Sequence, residues 1–262
     1  MKNRFRLLSL AVLVASEFLL GGCALFRSSP QQEEEPPIFA VYYAYPRLDN
    51  APEQFTPVPA YPGAWPEERQ LRDISRIQAT RIQGLLLFIH PKDLANTERF
   101  QRLESFLAKA QDASLSILLA LHADSPMRLH SEDLTSFLEK RGLLNHPALF
   151  RFYGKPLLVL SENILLAGTP PSLLTIRKIG EDWHLSGEEP ELTGDNLCWI
   201  DTAKYQDGEW LRKRRKRAFR ARLKKAISLN PEFILLSSWN CYQDGSAIEF
   251  NTLDSDDFLK HL

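Results

Sequence analysis

Six short runs of this chain are almost wholly apolar, and most are separated by stretches whose apolar residues recur at helical spacing. Residues 38–45, Ile-Phe-Ala-Val-Tyr-Tyr-Ala-Tyr, form the first run; residues 82–89, 115–121, 155–160, 197–201 and 233–238 form the others. Apolar runs of this length without polar alternation predict strands buried on both faces, as in a parallel sheet. Between them, residues 66–77, 93–113, 131–144, 170–183 and 209–229 predict helices. In the second of these, Phe100, Leu103, Phe106, Leu107 and Ala110 share one face. Ser131 is placed to N-cap the third with Asp133 in its first turn, and Pro170 opens the fourth. Strands alternating with helices predict an α/β fold, a small or incomplete (β/α)8 TIM-barrel-like domain. The remaining strands must come from weak segments, best around residues 186–192. An open doubly wound sheet is the alternative.

The ends of the chain change the domain picture. Lys2, Arg4 and Arg6 precede an apolar stretch, residues 7–20, interrupted by small residues and Glu17. It is short for a membrane span and has the layout of a targeting segment. It closes Leu20-Gly21-Gly22-Cys23, which resembles the lipobox of bacterial lipoproteins; the resemblance implies lipidation of Cys23 as the mature N-terminus. An ordinary signal peptide with an incidental cysteine is the alternative. Ala24 after Cys23 then implies the outer membrane in a Gram-negative cell envelope. Residues 27–37 lack apolar content until the fold begins and predict a flexible tether. The expected organisation is therefore 1–22 signal peptide, 23–37 lipidated cysteine and tether, and 38–262 the barrel domain.

Composition adds limits. The net charge of −1 argues against a dedicated nucleic-acid binder. With Cys23 acylated, Cys198 and Cys241 remain, too few for a disulfide framework. No metal-ligand spacing is visible, so no metal and no cofactor are expected. Lys and Arg dominate residues 212–225, with Phe219, Leu223 and Ala226 as the apolar stripe. That segment is either a solvated helix face or a contact for anionic lipid.

In a parallel α/β protein the chemistry lies just past each strand. The first strand offers Tyr42, Tyr43 and Tyr45, rings suited to stacking on a sugar, although alternation sends one of Tyr42 and Tyr43 outward. The second ends at His90, a substrate contact, proton carrier or structural residue. The third ends His122-Ala123-Asp124, and side chains two apart on a strand point the same way. Glu162 and Asp201 follow two further strands as site carboxylates or helix caps. After the last strand comes Ser238-Trp239-Asn240-Cys241-Tyr242-Gln243-Asp244-Gly245-Ser246-Ala247-Ile248-Glu249.

That segment resembles the closing motif of the glycoside hydrolase family 99-like proteins (endo-α-mannosidase type), S-F-N-E-W-x-E-G-T-x-I-E. Tyr42-Tyr43-Ala44-Tyr45 is similar to the family's opening Y-Y-x-W-Y, Trp65 has a matching tryptophan, and His122-Ala123-Asp124 is similar to H-x-E-P. The resemblance implies a TIM-barrel glycosidase of α-linked, mannose-type glycans, with a glycan as partner. It places Asp244 as the acid that protonates the leaving oxygen, with Cys241 at the position of the assisting carboxylate and Glu249 as a further acidic site residue. Tyr42, Tyr43, Tyr45, His90, His122, Asp124, Trp239, Asn240 and Tyr242 become substrate-contact candidates. Aspartate can do the acid work if its site raises the carboxyl pKa. A cysteine cannot simply replace a carboxylate base. If Cys241 leaves the site without a base, a carbohydrate-binding protein is the alternative, or an envelope protein with no ligand.

Overall fold

The computed structural model describes residues 35–44, 65–179, 197–201, 205–206, 209–210, 215–240, 248 and 262. The chain divides into two units, Met1–Glu35 and Pro36–Leu262, and the second holds every strand and helix named below. Its strands are β1 (Ile38–Tyr43), β2 (Ile82–Ile89), β3 (Ser116–Leu121), β4 (Met127–His130), β5 (Arg151–Phe152), β6 (Lys155–Leu160), β7 (Ile164–Ala167), β8 (Thr175–Lys178), β9 (Leu197–Asp201), β10 (Tyr205–Gln206), β11 (Glu209–Trp210) and β12 (Phe233–Ser237). The helices are α1 (Glu67–Gln78), α2 (Pro91–Ala95), α3 (Thr97–Asp112), α4 (Ser131–Lys140) and α5 (Arg215–Ser228).

All six apolar runs are strands, and they join one sheet with β8. Among the described residues seven strands run parallel in the order β8-β6-β3-β2-β1-β12-β9, and β5 adds an antiparallel strand beside β6. The sheet curls. Phe152 at one edge meets Phe233 on β12, ring centroids 6.3 Å apart. In a flat sheet the four intervening spacings of about 4.8 Å would hold β6 and β12 about 19 Å apart. The architecture is thus an incomplete (β/α) barrel. Residues 186–192, the expected source of a further strand, lie outside the described residues.

Alternation sorts the strand residues onto two faces. Ala40, Tyr42, Leu85, Leu87, Ile117, Leu119, Ile234 and Leu236 face a helix layer that includes Ile74, Ile77, Phe106, Leu107, Phe219 and Leu223. Phe39, Val41, Leu86, Phe88, Leu118, Val159, Phe233 and Leu235 fill the barrel interior. Burial on both faces is why these strands read as unbroken apolar runs.

Four helix expectations need correction. The segment 93–113 is two helices, because Asn96 is extended (ψ 119°) and its side chain accepts from Arg99 N at 3.0 Å, capping α3. Ser131 is not an N-cap: His130 holds that position, and Ser131 is buried as the first helical residue, its carbonyl accepting from Thr135 Oγ. Residues 170–183 do not form a helix through the described part; β-branched Thr175 and Ile176 take the edge of β6 instead. The last helix begins at Arg215, because Glu209–Trp210 pair antiparallel with Tyr205–Gln206. A small parallel sheet, β4 with β7, joins the loops that follow β3 and β6 and was not legible in the pattern.

Candidate functional site

The two ends of the barrel differ in chemistry. Near the strand starts, Phe39 packs edge-on against Phe150 (5.2 Å) and Phe233 (6.0 Å), and Phe152 closes on Phe233. Gly84 makes this plug possible: a Cβ there would lie 2.1 Å from the Phe39 ring and 2.6 Å from Ser116 O. This floor of rings fills the interior at the strand starts, while polar residues gather at the strand C-termini.

At that mouth one row of side chains crosses three strands. Tyr43 on β1 stacks on Phe88 of β2 at 5.2 Å and 16°. Phe88 in turn meets the His122 imidazole edge-on at 6.0 Å. His122 Nε2 stands 3.5 Å from Asp124 Oδ1, both half exposed. Beside His122, Ser161 follows β6, its backbone N–H bonded to Leu121 O at 2.9 Å, and its buried hydroxyl has no partner among the described residues. An apolar ring wall next to an imidazole, a carboxylate and a hydroxyl suits a sugar, which offers one apolar face and a rim of hydroxyls. Phe88 was missed as a site residue, although it is the β2 residue in register with Tyr43. Ser161 was missed as a hydroxyl, hidden behind its acidic neighbour Glu162.

Asn240 holds this row in place. It is fully buried; its Oδ1 accepts from Tyr43 N and its Nδ2 donates to Tyr43 O, each at 2.8 Å. With donor and acceptor both engaged by backbone, it serves as a positioning residue for Tyr43 rather than the expected sugar contact. Trp239 is likewise fully buried, in the helix layer, so it does not line the mouth; its Nε1 has no partner among the described residues. Ile248 N donates to Ser238 O at 3.0 Å and Trp239 O at 3.1 Å, fixing the chain again beside the end of β12.

Tyr42 departs from the expected role for a clear reason. Its position on β1 points it outward, where it is 0 % exposed and stacked on Phe106. Its hydroxyl donates to Asp73 Oδ2 at 2.7 Å and accepts from Trp65 Nε1 at 3.0 Å. Arg69 Nε reaches the same carboxylate oxygen at 3.3 Å. Burial pushes the Asp73 carboxyl above its ordinary value, and Arg69 and Tyr42 offset only part of that. Tyr42 and Trp65 therefore fasten β1 to α1 inside the helix layer. A sign of this was present in the sequence: Asp73 lies beside Ile74 and Ile77 on the stripe that faces the core.

His90 is half buried at the end of β2, where its Nδ1 accepts from Lys92 N at 3.0 Å to cap α2. Its neutral form then carries the proton on Nε2. Glu162 is exposed in the turn before β7, so it caps no helix. Asp201 ends β9 in register with Ser237. Cys23, Tyr45, Cys241, Tyr242, Asp244 and Glu249 lie outside the described residues. Among the described residues no three His, Cys, Asp or Glu side chains could hold a metal ion together. No helix among them is long and apolar enough to cross a membrane.

No protein-family model matches the sequence, and no curated protein matches it. Solved structures do resemble it. One is the family 99 endo-alpha-mannosidase from Bacteroides thetaiotaomicron in complex with bis-tris-propane, at TM-score 0.61 and 14% identity over 82% of this chain and 87% of that one. A second structure of that enzyme gives 0.57 at 14% identity, over the same shares of both chains. A glycoside hydrolase-like protein gives 0.59 at 13% identity, over 87% of this chain and 92% of the other. Likeness at such identity establishes the barrel fold.

Proposed function

We propose that this chain acts on glycans at the mouth of its barrel, hydrolysing α-linked, mannose-type oligosaccharides. The observation that carries the reading is the row Tyr43, Phe88, His122 and Asp124 across the C-terminal ends of β1, β2 and β3. The likeness to an endo-alpha-mannosidase fold supports it. In this reading a sugar ring stacks against the wall that Tyr43 helps form, and Asp244 protonates the leaving oxygen. Attack at the anomeric carbon needs a second carboxyl group or the sugar's own 2-hydroxyl. Of Asp124, Glu162, Asp201 and Glu249, we favour Asp124, because it stands at the mouth with His122 beside it.

Incubation of the chain with α-mannan and α-glucan oligosaccharides tests this by the appearance of new reducing ends. Activity that disappears in Asp244→Asn assigns the acid; no release from any α-mannoside overturns hydrolysis. Cys241 favours a second reading, a carbohydrate-binding protein without turnover. Binding without release in the native chain, with activity gained in Cys241→Glu, supports that reading.

We also place the protein in the bacterial envelope, lipid-anchored at Cys23, on the strength of the Leu20-Gly21-Gly22-Cys23 sequence. Metabolic labelling with a fatty acid tests it: label is expected on the native chain and absent from Cys23→Ser. Label that persists in the variant rules the site out.

A further inference from the structure

Seven cations, Arg215, Lys216, Arg217, Arg220, Arg222, Lys224 and Lys225, and no acid occupy the fourteen residues of α5. Phe219, Leu223 and Ala226 are buried against the sheet, so the helix has no apolar stripe left with which to insert into anything. Arg220, Lys224 and Lys225 are exposed. A partner for this face is therefore recognised by charge.

The end of α5 has a defined place. Four residues after Leu229 the chain enters β12, and Ile234 N donates to Pro37 O at 2.9 Å while Ile38 pairs with Ile234. The last turn of α5 and the point where the chain enters the domain thus share the base of the barrel, opposite the mouth. Glu232 stands at the same end, and Glu33, Glu34 and Glu35 precede Pro36 in the sequence. For the tether that composition predicts between Cys23 and Ile38, the average span is about 20 Å, a few times the screening length of about 8 Å in physiological salt.

We propose that the cationic face of α5 rests on an anionic phospholipid surface, with the flank of the barrel that carries this helix turned to the membrane. The inference rests on the lipid-anchor reading for its location, while the affinity of the face for lipid stands apart from it. A lipid surface is favoured over a soluble polyanion because the helix that carries the charge ends beside the point where the chain leaves toward its anchor.

The test uses the full chain carrying Cys23→Ser, which has no lipid of its own, in sedimentation with vesicles. Phosphatidylglycerol-containing vesicles are compared with pure phosphatidylcholine, which also accounts for any partition of the apolar residues 7–20. Binding is expected to be stronger on the anionic vesicles and to fall as salt is raised. Arg220→Gln with Lys224→Gln should weaken it about twenty-five-fold, five-fold per charge, the equivalent of about 1 kcal/mol each. The same pair should leave phosphatidylcholine binding and the thermal midpoint unchanged. Equal partition on both vesicles, or native-like binding by the double variant, overturns the proposal. So does tighter binding to heparin than to anionic vesicles, which assigns the face to a soluble polyanion. Absence of fatty-acid label on the native chain refutes the anchor without altering the vesicle result, so the two readings fail separately.

Discussion

Replacing Asn240 by alanine should loosen the mouth of the barrel and lower its stability together. The side chain satisfies both the N–H and the C=O of Tyr43, at 2.8 Å each, and is fully buried. A buried polar group left without a partner costs about 1–3 kcal/mol, so two backbone groups together cost about 2–6 kcal/mol. In a domain of this size each kcal/mol moves the melting point by about 2–4 °C, so a loss of about 3 kcal/mol lowers it by about 6–12 °C. Thermal unfolding followed by far-UV circular dichroism reads this directly. Asn240→Asp provides the sharper check. At neutral pH its carboxylate accepts from Tyr43 N but cannot donate to Tyr43 O, and it adds a buried charge. Once protonated it can do both, as the amide does. The aspartate variant should therefore recover stability toward acid pH, relative to native protein, while the alanine variant does not. A shift below about 2 °C for Asn240→Ala, or an Asn240→Asp variant with no acid recovery, would falsify the clamp.

Other expectations come from the same geometry. Gly84→Ala forces a Cβ against Phe39 and against the immovable Ser116 O, so urea unfolding should show a loss of at least about 1–3 kcal/mol; Phe39→Leu in the same chain should restore only part of it. Asp73 has a carboxyl pKa above 3.8 in the folded state, and such a group contributes stability in full below 3.8 that is lost as pH rises through the folded value. The cost of Asp73→Asn should therefore shrink as pH rises from 4 toward 7; a cost that grows instead would mean that Arg69 outweighs burial. Tyr43→Ala should weaken mannoside binding, measured by calorimetry, about two- to ten-fold, given the ~0.5–1.5 kcal/mol ascribed to an aromatic contact; Tyr42→Phe should leave binding unchanged while lowering stability by about 1 kcal/mol.

The parallel sheet was legible because burial on both faces leaves a plain mark, an apolar run, and β1, β2, β3, β6, β9 and β12 all carry it. β8 does not carry it: Thr-Ile-Arg-Lys is polar at most of its positions and only the open edge of β6 makes it a strand. The pairing of β4 with β7 was hidden for a similar reason, since each finds its partner in a loop far along the chain. At the site, His122 and Asp124 could be placed by spacing alone, because two residues on one strand end share a direction. The choice between Tyr42 and Tyr43 could not. Alternation says that one ring points outward, but which one depends on the phase of β1 against its neighbours, and that phase is set by Asp73 and Phe106 on one side and Phe88 on the other.

The closing segment, where the resemblance to a glycosidase is densest, divides in the same way. Among its described residues, Ser238, Trp239, Asn240 and Ile248 are buried, and Asn240 and Ile248 bond to backbone. Asn240 fastens the end of β12 to β1, and Ile248 returns the chain to Ser238 and Trp239. Two of the positions that agree with the family pattern, Asn240 and Ile248, are therefore positions that a barrel of this shape needs for its frame, whatever reaction it performs. The departure falls at Cys241, between those anchors in the sequence. Agreement at Asn240 and Ile248 therefore supports the shared fold rather than any one reaction. Activity gained in Cys241→Glu, with an unchanged melting point, would separate the two properties that the motif combines.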